Sequence, residues 1–195
     1  MAPAWEGALS ALMSRIRGLL SREPLKTLGV SLSSSFGQYQ LLLPADSWVD
    51  LEAGLWAIDE VEGYLRAGEP LRVLGPATVA ASIARRPFLS GIDGEWVEGQ
   101  RRVLERQLLR ALKGLCRMFM ARSEALHAVE TATEAVTLDP FRESSHQLLM
   151  QAHAASENRP EALRAYQRLC DLLQGELGTG PSPETQALYR KLKEA

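Results

Sequence analysis

The sequence predicts a mainly α-helical fold with a single β-hairpin near its N-terminus. Three observations lead there. From Asp50 onward the apolar residues recur at helical spacing. The only convincing alternating segments lie between Leu28 and Leu43. From Leu115 onward the helical pattern repeats every 34 residues, a spacing typical of stacked helix pairs. Composition agrees: of 195 residues, 46% are hydrophobic and 24% charged, which suits a self-sufficient core and excludes wholesale disorder or collagen-like repetition.

The first element is a helix. Leu9, Leu12, Met13, Ile16, Leu19 and Leu20 form one apolar stripe, opposite Ser10, Ser14, Arg17 and Ser21. Pro24 is expected to end it, because proline disfavours helical backbone at the residue before it. Leu28–Ser33 then alternates, with Leu28, Val30 and Leu32 on one face. Ser34, Ser35, Phe36 and Gly37 form a turn, a second strand carries Tyr39, Leu41 and Leu43, and Pro44 closes the hairpin.

Asp50–Arg66 reads as a helix through Leu51, Leu55, Ile58, Val61 and Leu65. Gly68, Pro70, Gly75 and Pro76 punctuate a linker. A short helix follows near Ala77–Ala84 and ends before Pro87. Asp93 can cap a long helix reaching about Arg122, with Val97, Leu104, Leu108, Ala111, Leu112, Leu115 and Phe119 on its apolar side. Trp48, Trp56 and Trp96 are most simply helix-packing anchors.

The repeat is read by setting Leu115 against Leu149. Ala128 then falls on Ala162, Ala132 on Tyr166 and Ala135 on Leu169. This is the tetratricopeptide period, and Ala162 with Tyr166 fits its A-x3-F element. Leu112, Leu115, Cys116 and Phe119 form a degenerate W-x2-L-G-x2-Y element, and Pro140 stands where the pattern places its terminal proline. The second copy carries His146, Met150 and His153 in its first helix and Gln174 in place of the proline. Ser182 and Pro183 start a final helix that Leu188 and Leu192 dock as a cap.

Several segments together resemble a known family. Arg86-Pro87-Phe88-Leu89-Ser90-Gly91, Trp96, Arg101 and Leu138-Asp139-Pro140-Phe141-Arg142-Glu143 look like the bacterial transcriptional activator domain. So do Ala162-Leu163-Arg164-Ala165-Tyr166, Glu176-Leu177-Gly178 and Pro181-Ser182-Pro183-Glu184. That domain occurs in the antibiotic-pathway regulators called SARPs. The resemblance runs from about Asp50 to the C-terminus, in order and with family-like spacing. In that family a winged helix-turn-helix of the response-regulator type precedes the helical domain. Ala8-Leu9-Ser10 through Ser14-Arg15-Ile16-Arg17 looks like its recognition helix. Gly37-Gln38-Tyr39-Gln40-Leu41 looks like the G-Y-x-L element of its wing, with one residue inserted.

The resemblance implies a tetratricopeptide-like array over residues 46–195, preceded over residues 1–45 by a partial winged helix made of a helix and a hairpin. A complete winged helix of this type has a sheet and two helices before the recognition helix, so about half of that domain is expected to be missing. The implied function is transcriptional regulation without catalysis. Expected partners are promoter DNA and a protein such as RNA polymerase or another regulator subunit, with a homo-oligomer among the arrangements the family allows. The alternative is a tetratricopeptide-like adaptor whose N-terminal remnant no longer binds DNA.

The charge pattern bears on both readings. Lys plus Arg is 22 and Asp plus Glu is 24, a net −2, which argues against coating nucleic acid by bulk charge. That total divides into +2 over residues 1–43 and −4 over the remainder. Ser10, Ser14, Arg15, Arg17, Arg22, Lys26 and Gln38 are therefore the candidate DNA-contacting residues. A second basic row, Arg102, Arg106, Arg110, Lys113 and Arg117, keeps to one helix face. It reads either as a groove for an acidic partner segment or phosphates, or as a solvated face paired with neighbouring acids.

Other chemistry finds little support. Cys116 and Cys170 are the only cysteines and make no CxxC or metal pattern, so two buried thiols in a reducing cytosol are expected. His146 and His153 stand seven apart, where an H-E-x-x-H metal helix needs four, so packing is the simpler role. No phosphate-loop glycine pattern and no catalytic constellation is present, and no cofactor is expected. There is no run of 18 apolar residues and no secretory pattern, so a cytoplasmic protein away from membranes is expected.

Overall fold

The chain divides into two compact units, Met1–Val49 and Asp50–Ala195. Residues 4–194 are described in a computed structural model.

In the first unit α1 spans Ala4–Leu20, and β1 (Ser31–Ser35) pairs antiparallel with β2 (Gln38–Leu42). Leu9, Met13, Ile16 and Leu20 form the half-buried stripe of α1, while Leu12 and Leu19 stay exposed. The helix stops four residues before Pro24, where the Ser21 hydroxyl donates to the Arg17 carbonyl at 2.8 Å. The first strand also sits further along than alternation predicts. Leu28, Gly29 and Val30 donate their amides back to Pro24, Lys26 and Leu25, so this stretch closes turns instead of joining a ladder. Ser34 and Ser35 pair with Tyr39 and Gln38, which leaves a two-residue turn of Phe36 and Gly37 at φ +50° and +76°. Two positive φ values are what a type I′ hairpin turn requires, because its twist matches that of the strands.

The second unit is helical: α2 (Asp50–Arg66), a 3-10 turn (Pro70–Val73), α3 (Leu74–Ala84), α4 (Glu95–Ala121), α5 (Ala125–Leu138), α6 (Glu143–Ala155), α7 (Arg159–Leu177) and α8 (Pro183–Glu194). The expected linker is largely helical. Pro70 and Pro76 each fall in a first turn, where a missing amide costs nothing. Gly94, not Asp93, stands at the start of α4, and Asp93 makes no capping bond.

α4 is the central element. One core forms where Leu108, Ala111, Leu112 and Leu115 meet Ile58 and Val61 of α2 and Ala77, Ala80 and Ala81 of α3. A second forms around Cys116, Ala128, Leu149, Met150 and Ala165, with Leu188 and Leu192 of α8 against it. The 34-residue register holds in the packing: Leu115 and Leu149 are both buried, as are Ala128 and Ala162, and Ala135 and Leu169. Tyr166 stacks on Tyr189 at 4.1 Å between ring centroids. The fold is thus mainly α, with the tetratricopeptide-like array and the N-terminal hairpin that periodicity indicates.

The tryptophans depart from expectation. Trp48, Trp56 and Trp96 are 67%, 74% and 63% exposed, so they do not anchor the core. The inner face of α2 is Gly54, Ala57, Ile58 and Val61, and Trp56 stands outside it, as does Leu55. Trp96 meets only the edge of the fold, with its ring 5.8 Å from that of Phe88.

Candidate nucleic-acid and partner interfaces

In the first unit all seven predicted DNA-contacting residues, Ser10, Ser14, Arg15, Arg17, Arg22, Lys26 and Gln38, are exposed. Ser10, Ser14 and Arg17 follow i, i+4, i+7 spacing on one face of α1. Arg17 and Lys26 meet at an open groove of about 510 Å³ between the end of α1 and β1. The Arg17 guanidinium lies over the Tyr39 ring, 5.7 Å from its centroid, which ties helix to hairpin. Arg15, Arg22 and Gln38 lie outside that groove. None of the unit's four cations is in an ion pair among the described residues. Among the described residues of the unit no side chain is fully buried, so its apolar stripe is only half covered.

In the second unit the basic row runs along α4. Arg102, Arg106 and Arg117 are exposed, and Arg110 and Lys113 are half-buried. Arg110 donates through Nε to Glu62 of α2 at 2.6 Å and has Asp59 at 3.9 Å. That hydrogen bond, outweighing burial, holds the Glu62 carboxyl below its usual range. Arg102, Arg106, Lys113 and Arg117 are in no ion pair among the described residues, although Lys113 helps to lower the Glu62 carboxyl, so only part of the row is a paired surface. Arg110 and Lys113 are shared by two cavities. One of about 250 Å³ adds Arg66 and Arg117, and one of about 190 Å³ adds Arg106 and Arg142. Arg102 lines neither.

The segments that carried the resemblance serve to hold the helices in place. Arg101 donates to the carbonyls of Phe88, Leu89 and Ile92 at 3.1, 2.9 and 3.1 Å, fastening the 88–92 loop to α4. Arg142 donates to Asp139 at 2.8 Å, and the His146 ring sits 2.9 Å from the Pro140 carbonyl. Glu143 accepts from the Ser182 amide at 2.8 Å, the Ser182 hydroxyl at 2.7 Å and the Thr185 hydroxyl at 2.6 Å. Two motifs some forty residues apart are thereby latched, and α8 is pinned by its first turn. Sequence reasoning missed this latch, as it missed Gly114, where α4 runs close to Val61 and Val73.

The cysteines separate. Cys116 is fully buried, and burial pushes its thiol up to about 11 despite Arg117 nearby, so it is no nucleophile. Cys170 is only half-buried, contrary to expectation. His146 is buried and serves packing, while His153 is half-buried.

Against this geometry, the family profile described as the bacterial transcriptional activator domain matches residues 49–193. The chain belongs to the bacterial transcriptional activator domain family. Members of this activator-domain family are transcriptional regulators, and the domain is not an enzyme class. A 57-residue stretch of the chain is also similar to the transcriptional regulatory protein MoaR1 of Mycobacterium bovis and of Mycobacterium tuberculosis. The identity is 40% over 57 residues, covering 29% of this chain and 18% of MoaR1. Among solved structures, EmbR of Mycobacterium tuberculosis in complex with a low-affinity phosphopeptide shares the fold. Its TM-score is 0.83 at 22% identity, over 98% of this chain and 51% of EmbR. The tetratricopeptide-containing C-terminal domain of a Plasmodium falciparum FK506-binding protein shares the helical array, with a TM-score of 0.55 at 11% identity over 76% of this chain. The chain therefore spans about half of EmbR, and its match covers under a fifth of MoaR1. Among the described residues no helix is long and apolar enough to cross a membrane.

Proposed function

We propose that this activator-domain protein regulates transcription without catalysis, its first unit contacting promoter DNA and its helical array holding a protein partner. The observation that carries the DNA half is the set of four exposed cations, Arg15, Arg17, Arg22 and Lys26, none paired with an acid among the described residues. Arg15 and Arg17 lie on α1 and Arg22 and Lys26 just beyond it; the exposed face of that helix presents Ser10 and Ser14, and Gln38 opens the second strand of the hairpin. Cations of this kind contact phosphates and fix register, while the short polar side chains reach base edges. On this reading residues 1–45 are the recognition helix and wing of a winged helix, residues 46–195 are the activator domain, and the protein works in the cytoplasm.

The partner half rests on the row Arg102, Arg106, Arg110, Lys113 and Arg117, four of whose cations are in no ion pair among the described residues. RNA polymerase or another regulator subunit would offer the acidic segment. EmbR, solved with a phosphopeptide, is a fold neighbour that takes a peptide partner. One observation favours the adaptor reading for the first unit: with no fully buried side chain, its helix and hairpin need covering before they can present a rigid helix to a groove. A gel-shift assay on duplex promoter fragments decides between them. The DNA reading expects retention that Arg15→Ala with Arg17→Ala abolishes. Retention unchanged by that pair, or no retention at all, leaves the adaptor.

A further inference from the structure

The smaller basic cavity lies between α4 and the start of α6, and its chemistry is specific. Arg106, Arg110 and Lys113 come from α4, Arg142 from the turn before α6, and Ser144 and Ser145 from the first turn of α6. The rest of the lining is apolar, and no carboxylate lines the cavity. Clustered cations repel one another in a partly enclosed space unless an anion sits among them.

The two arginines that do have acidic partners hold them in a telling way. Arg110 binds Glu62 through Nε, and Arg142 binds Asp139 through Nε. Each guanidinium is thus oriented by one edge. The terminal nitrogens of both make no hydrogen bond among the described residues, although Nη2 of Arg110 stands 3.9 Å from Asp59. Arg106 and Lys113 are in no ion pair among the described residues, although Lys113 helps to lower the Glu62 carboxyl. Ser145 is 3% exposed and lines the cavity, yet its hydroxyl has no hydrogen-bond partner in the protein among the described residues. That hydroxyl is therefore available to a ligand in the cavity. The first turn of α6 carries the positive end of the helix dipole; the Ser145 amide there donates to the Arg142 carbonyl at 2.9 Å, and Arg142 at the cap position supplies no side-chain bond.

We propose that this cavity binds a phosphoryl group, carried either by free phosphate or by a phosphorylated side chain of a partner. At about 190 Å³ it suits a compact oxyanion and is too small for a nucleotide-sized ligand. A tetrahedral dianion can accept at once from two guanidinium edges, an ammonium and a hydroxyl, which a planar carboxylate cannot match. The proposal rests on the reading of the α4 row as a partner surface, and it names the chemistry that surface recognises.

The test is an amide-shift titration of the full chain by NMR. Four probes are compared: inorganic phosphate, a phosphoserine peptide, its unphosphorylated form and a glutamate-rich peptide, each against sodium chloride of equal ionic strength. Expected are saturable shifts at Ser144 and Ser145 with phosphate, with the phosphoserine peptide or with both, and none with chloride. A response to phosphate alone identifies a free-anion site, and tighter binding of the phosphoserine peptide identifies the partner's side chain as the source. Arg106→Gln with Lys113→Met, on exposed and half-buried positions, should weaken binding about a hundredfold, roughly tenfold for each charge-assisted hydrogen bond removed. Ser145→Ala should weaken it several-fold. Shifts absent with both phosphoryl probes, or unchanged in the double variant, would overturn the proposal. Binding of the glutamate-rich peptide without any phosphate response overturns the phosphoryl site and leaves the partner surface standing. Phosphate binding with no peptide retained does the reverse.

Discussion

Gly114→Ala is expected to destabilise the helical domain although alanine is the better helix former. A Cβ at position 114 would lie 2.6 Å from Val61 Cγ1 and 3.0 Å from Val73 Cγ1. Carbon atoms prefer about 3.5–4.0 Å, so the first contact is short by roughly 1 Å. Val61 and Val73 are fully buried, and β-branching leaves them few other rotamers. Overpacking of this kind costs about 1–3 kcal/mol or more, against a gain of about 1 kcal/mol in helix propensity. The net loss is up to about 2 kcal/mol, or a fall of up to roughly 8 °C in Tm for a chain this long. Gly99 lies in the same helix with nothing within 4 Å of its missing Cβ, so Gly99→Ala should instead gain up to about 1 kcal/mol. Urea denaturation followed by circular dichroism compares the two. Val61→Ala in the Gly114→Ala background should show coupling of about 1 kcal/mol or more, because it removes the clashing methyl. The reasoning fails if Gly114→Ala and Gly99→Ala stabilise alike.

Three further outcomes follow from the geometry. Glu143→Gln should cost about 1–2 kcal/mol, discounted for partial exposure, and should speed amide exchange in α8 more than in α5, because the latch to Ser182 and Thr185 is broken. Burial raises the Glu143 carboxyl, but the Thr185 and Ser182 donors outweigh it and hold it below its usual range. The latch is therefore complete above the ordinary Glu range and is lost as pH falls through the lowered value, so α8 exchange should accelerate only in acid. Burial, outweighing the Pro140 carbonyl, lowers His146 from its ordinary value of 6.5. The unfolded chain then takes the proton first, and stability should decline as pH falls below about 6.5, a slope that His146→Asn flattens in thermal melts between about pH 7.5 and 5.5. Phe36 holds φ +50° with its side chain fully exposed, so Phe36→Asn should stabilise the hairpin by about 1 kcal/mol, read as slower exchange of the Gln40 amide.

What could be read from the sequence was local or periodic. The 34-residue register put Ala128 over Ala162 because both copies need a small residue where helices approach, and the packing keeps that pairing. The basic row on α4 was legible because one helix carries it. Arg142, Ser144 and Ser145 were not associated with it, since α5 intervenes in sequence before α6 brings them to the same cavity. The Glu143 latch and the Gly114 approach were hidden for the same reason: each joins distant segments. Alternation misplaced the first strand because apolar Leu28 and Val30 spend their backbone donors on turns. Size misled for Trp56, whose helix buries Ala57 and Ile58 instead.

The central claim is that the first unit, and not the α4 row, carries the contact with DNA. The most direct measurement is the salt dependence of binding to a duplex promoter fragment, by fluorescence anisotropy, for the wild type, Arg15→Ala with Arg17→Ala, and Arg106→Ala with Lys113→Ala. Each phosphate contact adds about one to the slope of log K against log salt. The account predicts a slope reduced by about two in the first pair and unchanged in the second. An unchanged slope in the first pair, or a reduction confined to the second, would contradict it.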